Sequence, residues 1–211
     1  MTKEKIILIG GGGHCKSVID VIETENKFEI AGIIDVKEKI GQKILDYKII
    51  ACDDDLPELS KKYKNFIITV GQIKSPTIRI KIYEKLKNLN INLPVIISPF
   101  SHVSKHSDIG EGTVIMHNVI VNAGAKIGKN CIINNTALIE HDAIIGDNCH
   151  ISTNAKINGD CTVEKNTFFG SGAILSNGIT IAENNIIAAG AVIYRNTKPN
   201  GTYIGNPARK V

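Results

Sequence analysis

Histidine is the one side chain that ordinarily changes charge near neutral pH, so the six histidines are natural candidates for proton transfer. His141 stands apart because it lies in Leu138-Ile139-Glu140-His141-Asp142, with a carboxylate on either side. An imidazole with an ordinary pKa of about 6.5 can accept a proton at neutral pH. A carboxylate on its other ring nitrogen fixes the tautomer and supports the imidazolium. A second chemical feature is the run Gly10-Gly11-Gly12-Gly13, which ends in His14 and separates an apolar run from a helix-like stretch. Backbone N–H groups at such a turn cradle phosphate. Cys15 stands where G-x-G-x-x-G requires its third glycine, so the turn is a weak dinucleotide signal. Asp35 follows about twenty residues later, at a distance suited to a ribose or base. Near the C-terminus, Arg195, Lys198, Arg209 and Lys210 offer charge-assisted hydrogen bonds to phosphates. The five cysteines are odd in number and lack C-x-x-C spacing, which disfavours a disulfide framework or a zinc site, and no metal is expected.

Two unlike halves must position these groups. Residues 1–97 alternate apolar runs with helical patterns. Lys5-Ile6-Ile7-Leu8-Ile9, Phe28 to Ile34 and Phe66-Ile67-Ile68-Thr69-Val70 read as buried strands, with a weaker one at Ile49-Ile50-Ala51. Val18, Ile19, Val21 and Ile22 share one side of a first helix, Pro57 opens a short second one, and Ile78, Ile82, Leu86 and Leu89 mark a third. This alternation predicts a small parallel α/β sheet.

Residues 98–211 follow another period. Stepping by six from Val103 gives Ile109, Ile115, Val121, Ile127, Ile133, Ile139, Ile145, Ile151, Ile157, Val163, Phe169, Leu175, Ile181, Ile187 and Ile193 without a slip. Four residues after these positions the chain is mostly small, and Cys131, Cys149 and Cys161 fall in that register as compact corner fillers. A six-residue repeat fits neither an amphipathic helix nor a hairpin; it fits a parallel β-helix, capped at one end by the α/β half and at the other by the tail. With three hexads per coil, residues eighteen apart stack directly. His141 then shares a column with Ala123 below and Gly159, Asn177 and Arg195 above. Gly159 leaves room over the imidazole, and a groove from His141 towards Arg195 could hold an extended thioester arm.

The hexads resemble the hexapeptide acyltransferases, whose units wind a left-handed parallel β-helix. Adding Ile9-Gly10-Gly11-Gly12-Gly13-His14, Ile139-Glu140-His141-Asp142 and the terminal Gly205-Asn206-Pro207-Ala208, the whole chain resembles one bacterial branch of sugar acetyltransferases. That branch contains the nucleotide-linked 4-amino-sugar N-acetyltransferases and the sialic acid O-acetyltransferase-like proteins. The resemblance implies a Rossmann-like nucleotide-sugar-binding domain before the β-helix and acetyl-CoA as co-substrate. It implies His141 as general base oriented by Asp142, with His150 near the thioester. Gly159, Ala189 and Gly190 would line the pantetheine arm; Arg195 and Arg209, in or after the last coil, are expected from their position alone to meet its phosphates. Gly11, Gly12, Gly13, His14 and Asp35 would bind the nucleotide-sugar. It further implies a homotrimer in which the sugar reaches a neighbouring subunit's His141.

Composition agrees with a cytoplasmic protein. A net charge of +4, 5% aromatic residues and no Trp argue against a nucleic-acid partner, and no apolar run is long enough to span a membrane. The leading expectation is N-acetylation of a nucleotide-linked 4-amino-4,6-dideoxy sugar for glycan biosynthesis. O-acetylation of a sialic-type sugar and a non-catalytic nucleotide-sugar scaffold remain open, and a dinucleotide oxidoreductase is disfavoured. His102, His106 and His117 read as surface or cap residues.

Overall fold

The computed structural model describes residues 3–211. Strand β1 (Glu4–Ile9) is an interior strand of a five-stranded sheet, and its Ile6, Ile7, Leu8 and Ile9 are at most 1% exposed. β2 (Phe28–Ile34) and β5 (Asn65–Ile68) flank it in parallel; β4 (Tyr47–Ala51) joins β2, and β3 (Lys43–Ile44) closes that edge antiparallel. Such near-continuous apolar strands are what a sheet covered on both faces requires. Helix α1 (Gly13–Glu25) covers one face, with Val18, Ile19, Val21 and Ile22 buried against it. Helices α2 (Leu56–Lys62) and α3 (Thr77–Asn88) cover the other.

From Ile96 onward the chain winds a three-sided left-handed parallel β-helix of two-residue strands. The first face begins at Ile96–Ile97, one step before the run of sixteen, and continues through Val114–Ile115, Ile132–Ile133, His150–Ile151, Phe168–Phe169 and Ile186–Ile187. The second runs from His102–Val103 to Val192–Ile193 and the third from Asp108–Ile109 to Thr180–Ile181. Every coil pairs with the next in a register of eighteen, as in Ile133↔Ile151. The second residue of each pair points inward, and those from Ile115 to Ile193 are 0–3% exposed. Cys131, Cys149 and Cys161 fill inner corners at 0% exposure, and their thiols donate to the Gly146, Glu164 and Ser176 carbonyls. At the outer corners Asn118, Asn130, Asp142, Asn148, Asn154, Asp160, Asn166 and Asn184 adopt φ of 54–63°, the left-handed region that Asn and Asp tolerate.

Three details differ from the sequence reading. On α3 the buried positions are Arg79 and Leu86, whereas Ile78 is 64% exposed, because the helix turns Arg79 towards the prism. His117 is not a free surface group: its Nε2 lies 2.9 Å from Asp20 and its Nδ1 2.6 Å from Ser98 Oγ, which ties α1 to the first coil. The α/β half also does more than close an end. It lies along the first face, where Ile96, Val114 and Met116 join the core of α1 and Gln72 reaches the Asn148 carbonyl. At the far end Thr202–Gly205 extends the first face beside Ile186–Ile187, and Ala208–Lys210 folds back on it antiparallel. Among the described residues no helix is long and apolar enough to cross a membrane.

One corner is strained. Thr136 has φ 60° in the column where Asn118 and Asn154 stand, and a β-branched residue is poorly suited to that region. Replacing Thr136 by Asn is expected to raise the free energy of unfolding by about 1 kcal/mol, read by urea titration. A lower midpoint would mean that the Thr136 Oγ1 bond to the Asn135 carbonyl outweighs the strain.

Candidate active site

The corner between the second and third faces carries His141, between strands Leu138–Ile139 and Ile144–Ile145. Its side chain is 58% exposed, and Nδ1–H donates to Asp142 Oδ2 at 3.0 Å. This leaves Nε2 as the open nitrogen. A Cβ at Gly159 would stand 2.6 Å from that Nε2, so only glycine leaves room for the ring. Asp142 has φ 59°, and a Cβ at Gly124 would overlap its Oδ1, so a second glycine seats the carboxylate. Asp142 N–H donates to the Ala123 carbonyl and Asp160 N–H to the His141 carbonyl, which verifies the eighteen-residue stack. The hydrogen bond to Asp142 raises the His141 pKa above its ordinary 6.5. Slight desolvation opposes that rise, and the charges of Asp142, Asp160 and Glu140 add to it. Glu140 accepts from Asn122 Nδ2 at 2.7 Å and acts on the ring less than Asp142 and Asp160 do.

A separate cleft of about 720 Å³ opens between the glycine turn and the first face. Gly12, Gly13, His14 and Asp35 line one side, Thr69 to Ile73 the back, and Asn134 and His150 the other. Gly11 N–H donates to Asp35 Oδ2 at 2.7 Å, and Lys39 sits 3.2 Å from Oδ1, so Asp35 braces the turn as well as lining the cleft. Burial alone would raise Asp35, but hydrogen bonds from the Val36 and Gly11 N–H groups and Lys39 outweigh it and hold the carboxyl below its usual value. His14 lies in the first turn of α1, and its Nε2 has no partner among the described residues. Burial, assisted by Arg79 and His150, lowers its pKa to about 3. His150 is 7% exposed, its Nδ1–H donates to the Gln72 carbonyl at 2.5 Å, and burial lowers it to about 4.

The structure thus groups His150 with His14 and the turn, not with His141. Ala189 and Gly190 lie at the corner between the first and second faces, where Gly190 N–H meets the Ser171 carbonyl. Gly159 remains on the His141 column, and Val192–Ile193 lies over Ile174–Leu175 just before Arg195 and Asn177. Arg195 and Arg209 come together with Tyr194 and Tyr203 around a pocket of about 550 Å³ at the last coil. The His141 corner faces away from the first face, so one chain does not bring the cleft and the imidazole together. Asp160 was readable as Asp142 plus eighteen. Gln72 and Asn134 carried no such signal, since their roles come from how the α/β half leans on the prism.

Residues 5–86 match the family model described as the PglD N-terminal domain, and residues 106–141, 124–159 and 160–195 match the bacterial transferase hexapeptide (six repeats). Compared by sequence with curated proteins, the chain has no significant match. Among solved structures it is similar to perosamine N-acetyltransferase from Caulobacter crescentus, a mutant in complex with CoA and GDP-perosamine. That pair shares 28% identity and a TM-score of 0.93, over 100% of this chain and 98% of the other. The acetyltransferase domain of PglB from Neisseria gonorrhoeae FA1090, in complex with acetyl coenzyme A, matches at 28% identity and a TM-score of 0.90, over 100% of both chains. WeeI from Acinetobacter baumannii AYE matches in fold at 23% identity and a TM-score of 0.87, over 99% of this chain and 100% of that one. With both halves matched by family models and the whole length by these structures, the chain belongs to the hexapeptide-repeat sugar acetyltransferases.

Proposed function

We propose that the chain is an acetyl-CoA-dependent N-acetyltransferase that acts on the 4-amino group of a nucleotide-linked 4-amino-4,6-dideoxy sugar in bacterial glycan biosynthesis. The observation that carries this reading is His141, held by Asp142 with Nε2 open beside Gly159. The likeness to a perosamine N-acetyltransferase solved with CoA and GDP-perosamine supports the substrate pair. In this reading the cleft takes the nucleotide-sugar, with its diphosphate on Gly12 and Gly13, since the Gly11 N–H expected to share it is held by Asp35, and its nucleoside towards Asp35. Arg195 and Arg209 meet the phosphates of acetyl-CoA, whose thioester arm passes Gly159, Ala189 and Gly190. His150 fits beside the thioester only across a subunit boundary. A homotrimer with active sites between subunits supplies that boundary and brings one chain's cleft to its neighbour's His141. Both substrates are cytoplasmic metabolites, which implies a cytoplasmic enzyme.

His141 Nε2 takes the proton that the amine releases as its nitrogen bonds the thioester carbonyl carbon. Asp142 holds the imidazolium, and a backbone N–H is suited to stabilise the oxyanion. When the C–S bond breaks, the imidazolium returns the proton to the departing thiolate. Direct transfer needs no nucleophile from the protein, consistent with the burial of Cys131, Cys149 and Cys161.

The test is thiol release from acetyl-CoA with UDP-, dTDP- and GDP-linked 4-amino sugars and free sialic acid. Release with one amino sugar, lowered about 10²–10⁴-fold by His141→Ala in a folded protein, supports the reading. Release with sialic acid alone, or undiminished release without the imidazole, overturns it. The base must be neutral to act, so activity should fall as pH drops through the raised His141 value. Asp142→Asn should slow turnover and move that limb to lower pH; a stationary limb would assign it to another group. Gly159→Ala should cut kcat with little change in thermal midpoint, because Gly159 is outside the left-handed region and its Cβ would meet mainly the imidazole. Unchanged kcat would show that the ring works from another position.

A further inference from the structure

Arg79 is the largest fully buried side chain of the protein, 1% exposed, and among the described residues no carboxylate lies within ion-pair distance of it. A buried charge without a counter-charge is among the most costly groups a fold can carry. Here carbonyl oxygens take its place. Nη1 donates to the Ile68 and Val70 carbonyls at 3.0 and 2.7 Å, and Nη2 to the Asn130 carbonyl and Oδ1 at 3.2 and 2.7 Å. Asn130 Nδ2 donates to Asn148, Asn148 to Asn166 and Asn166 to Asn184, at 2.8, 3.2 and 3.0 Å. Four stacked carboxamides therefore turn their oxygens towards the guanidinium and share its field.

The two strand-end carbonyls matter because the chain passes directly from them into the wall of the cleft. Val70 packs on the first glycine of the turn, where a Cβ at Gly10 would stand 2.5 Å from Val70 Cγ2. Two residues later the Gln72 carbonyl accepts His150 Nδ1–H, while Gln72 Nε2 donates to the Asn148 carbonyl at 2.9 Å. The segment from Val70 to Ile73 is thus held from behind by Arg79 and from the front by the prism, and it forms the back of the cleft. We infer that Arg79 is a positioning residue: its guanidinium fixes this segment against the glycine turn and, through the Gln72 carbonyl, sets the ring orientation and tautomer of His150. With Nδ1 committed as donor, Nε2 is left as the acceptor, 3.3 Å from the Asn134 amide at the edge of the cleft.

The groups facing His150 are the Arg79 cation on α3, His14 on α1, and the uncharged Gln72, Asn134 and Phe168. Burial is the largest influence on both rings and the Arg79 cation adds to it; at His150 burial outweighs the Gln72 hydrogen bond, which favours protonation, so both imidazoles are neutral in the cleft at neutral pH. The bearing on acetyl transfer rests on the proposed function; the state of the His150 ring does not.

The experiment is a pH series of ring-nitrogen NMR spectra on the full-length, histidine-labelled protein, with His150 identified by its loss in His150→Gln. The unaltered chain should show a neutral Nδ1–H ring down to about pH 5. Arg79→Met keeps the volume and removes the charge; the single Nδ1–H tautomer of His150 should be lost as the Gln72 carbonyl is freed. Arg79→Lys keeps the charge without the fork, so the ring should stay neutral but populate both tautomers. In turnover, Arg79→Met should raise the KM for the nucleotide-sugar about tenfold while kcat falls less than about threefold, and Arg79→Lys should recover part of it. A His150 ring that keeps its single Nδ1–H form in Arg79→Met, with only stability lost, overturns the inference. Should Arg79→Met not fold, the tautomer in Arg79→Lys decides: a retained single Nδ1–H form overturns it. Absence of acetyl transfer to every acceptor would defeat the functional reading and leave the ring measurement able to decide this one.

Discussion

Each coil of the prism hangs from its neighbour by backbone hydrogen bonds in a register of eighteen, and that constraint dictates what any position can do. A two-residue strand has one inward and one outward side chain, so the interior becomes a column of Ile, Val, Leu and Phe and the exterior is free to vary. Corners must turn through the left-handed region, which selects Asn, Asp and Gly and thereby places short polar side chains in vertical files. Two such files bear on the proposed function. One holds Asp142 and Asp160 around His141, and the other is the Asn130–Asn148–Asn166–Asn184 ladder that ends on Arg79. Residue types demanded by turn geometry have been put to use as acceptors and donors.

The same side chain is tuned in opposite directions by its surroundings. His141 stands in solvent, and its hydrogen bond to Asp142 favours the imidazolium, which suits a group that must gain a proton in mid-reaction. His14 and His150 are buried beside a guanidinium, and burial above all keeps them neutral, which suits groups that recognise a ligand by fixed donors and acceptors. In the proposed mechanism these two kinds of imidazole have to meet, the neutral pair at the cleft and the basic one at the corner. Environment, not sequence identity, separates their roles.

How far the sequence discloses this differs by region. The prism was legible to the residue, because a strict period converts position in the chain into position in space: Gly159 over His141 and Cys131, Cys149 and Cys161 in the corners come from addition alone. The sheet of the α/β half was legible from its apolar runs. What was hidden is the packing of one half on the other. Nothing in a helical repeat of Ile78, Ile82 and Leu86 reveals that Arg79 turns inward instead, since its burial depends on carbonyls supplied by Ile68, Val70 and Asn130. His150 illustrates the same limit. Its place on an outward strand position was readable, but its partner Gln72 lies in a loop with no periodicity.

The architecture also explains why a single chain is an incomplete catalyst in the proposed reading. A three-sided prism has, opposite each face, one corner; the α/β half occupies the first face, and His141 occupies the corner opposite. No bending of loops spans a prism packed with buried Ile and Phe, so the cleft must draw its base from elsewhere. The surface beside His141 has the character of a contact. Ile144, just after the corner on the third face, and Ile120, one coil before Leu138 on the second, are 45% and 43% exposed. Isolated exposed apolar residues are ordinary, but in the proposed reading a pair beside the His141 corner is where a neighbouring prism would bury apolar surface and bring its own cleft against the imidazole. Three-fold packing of prisms satisfies both needs at once, since each chain offers one corner and one cleft and receives the same from its neighbours.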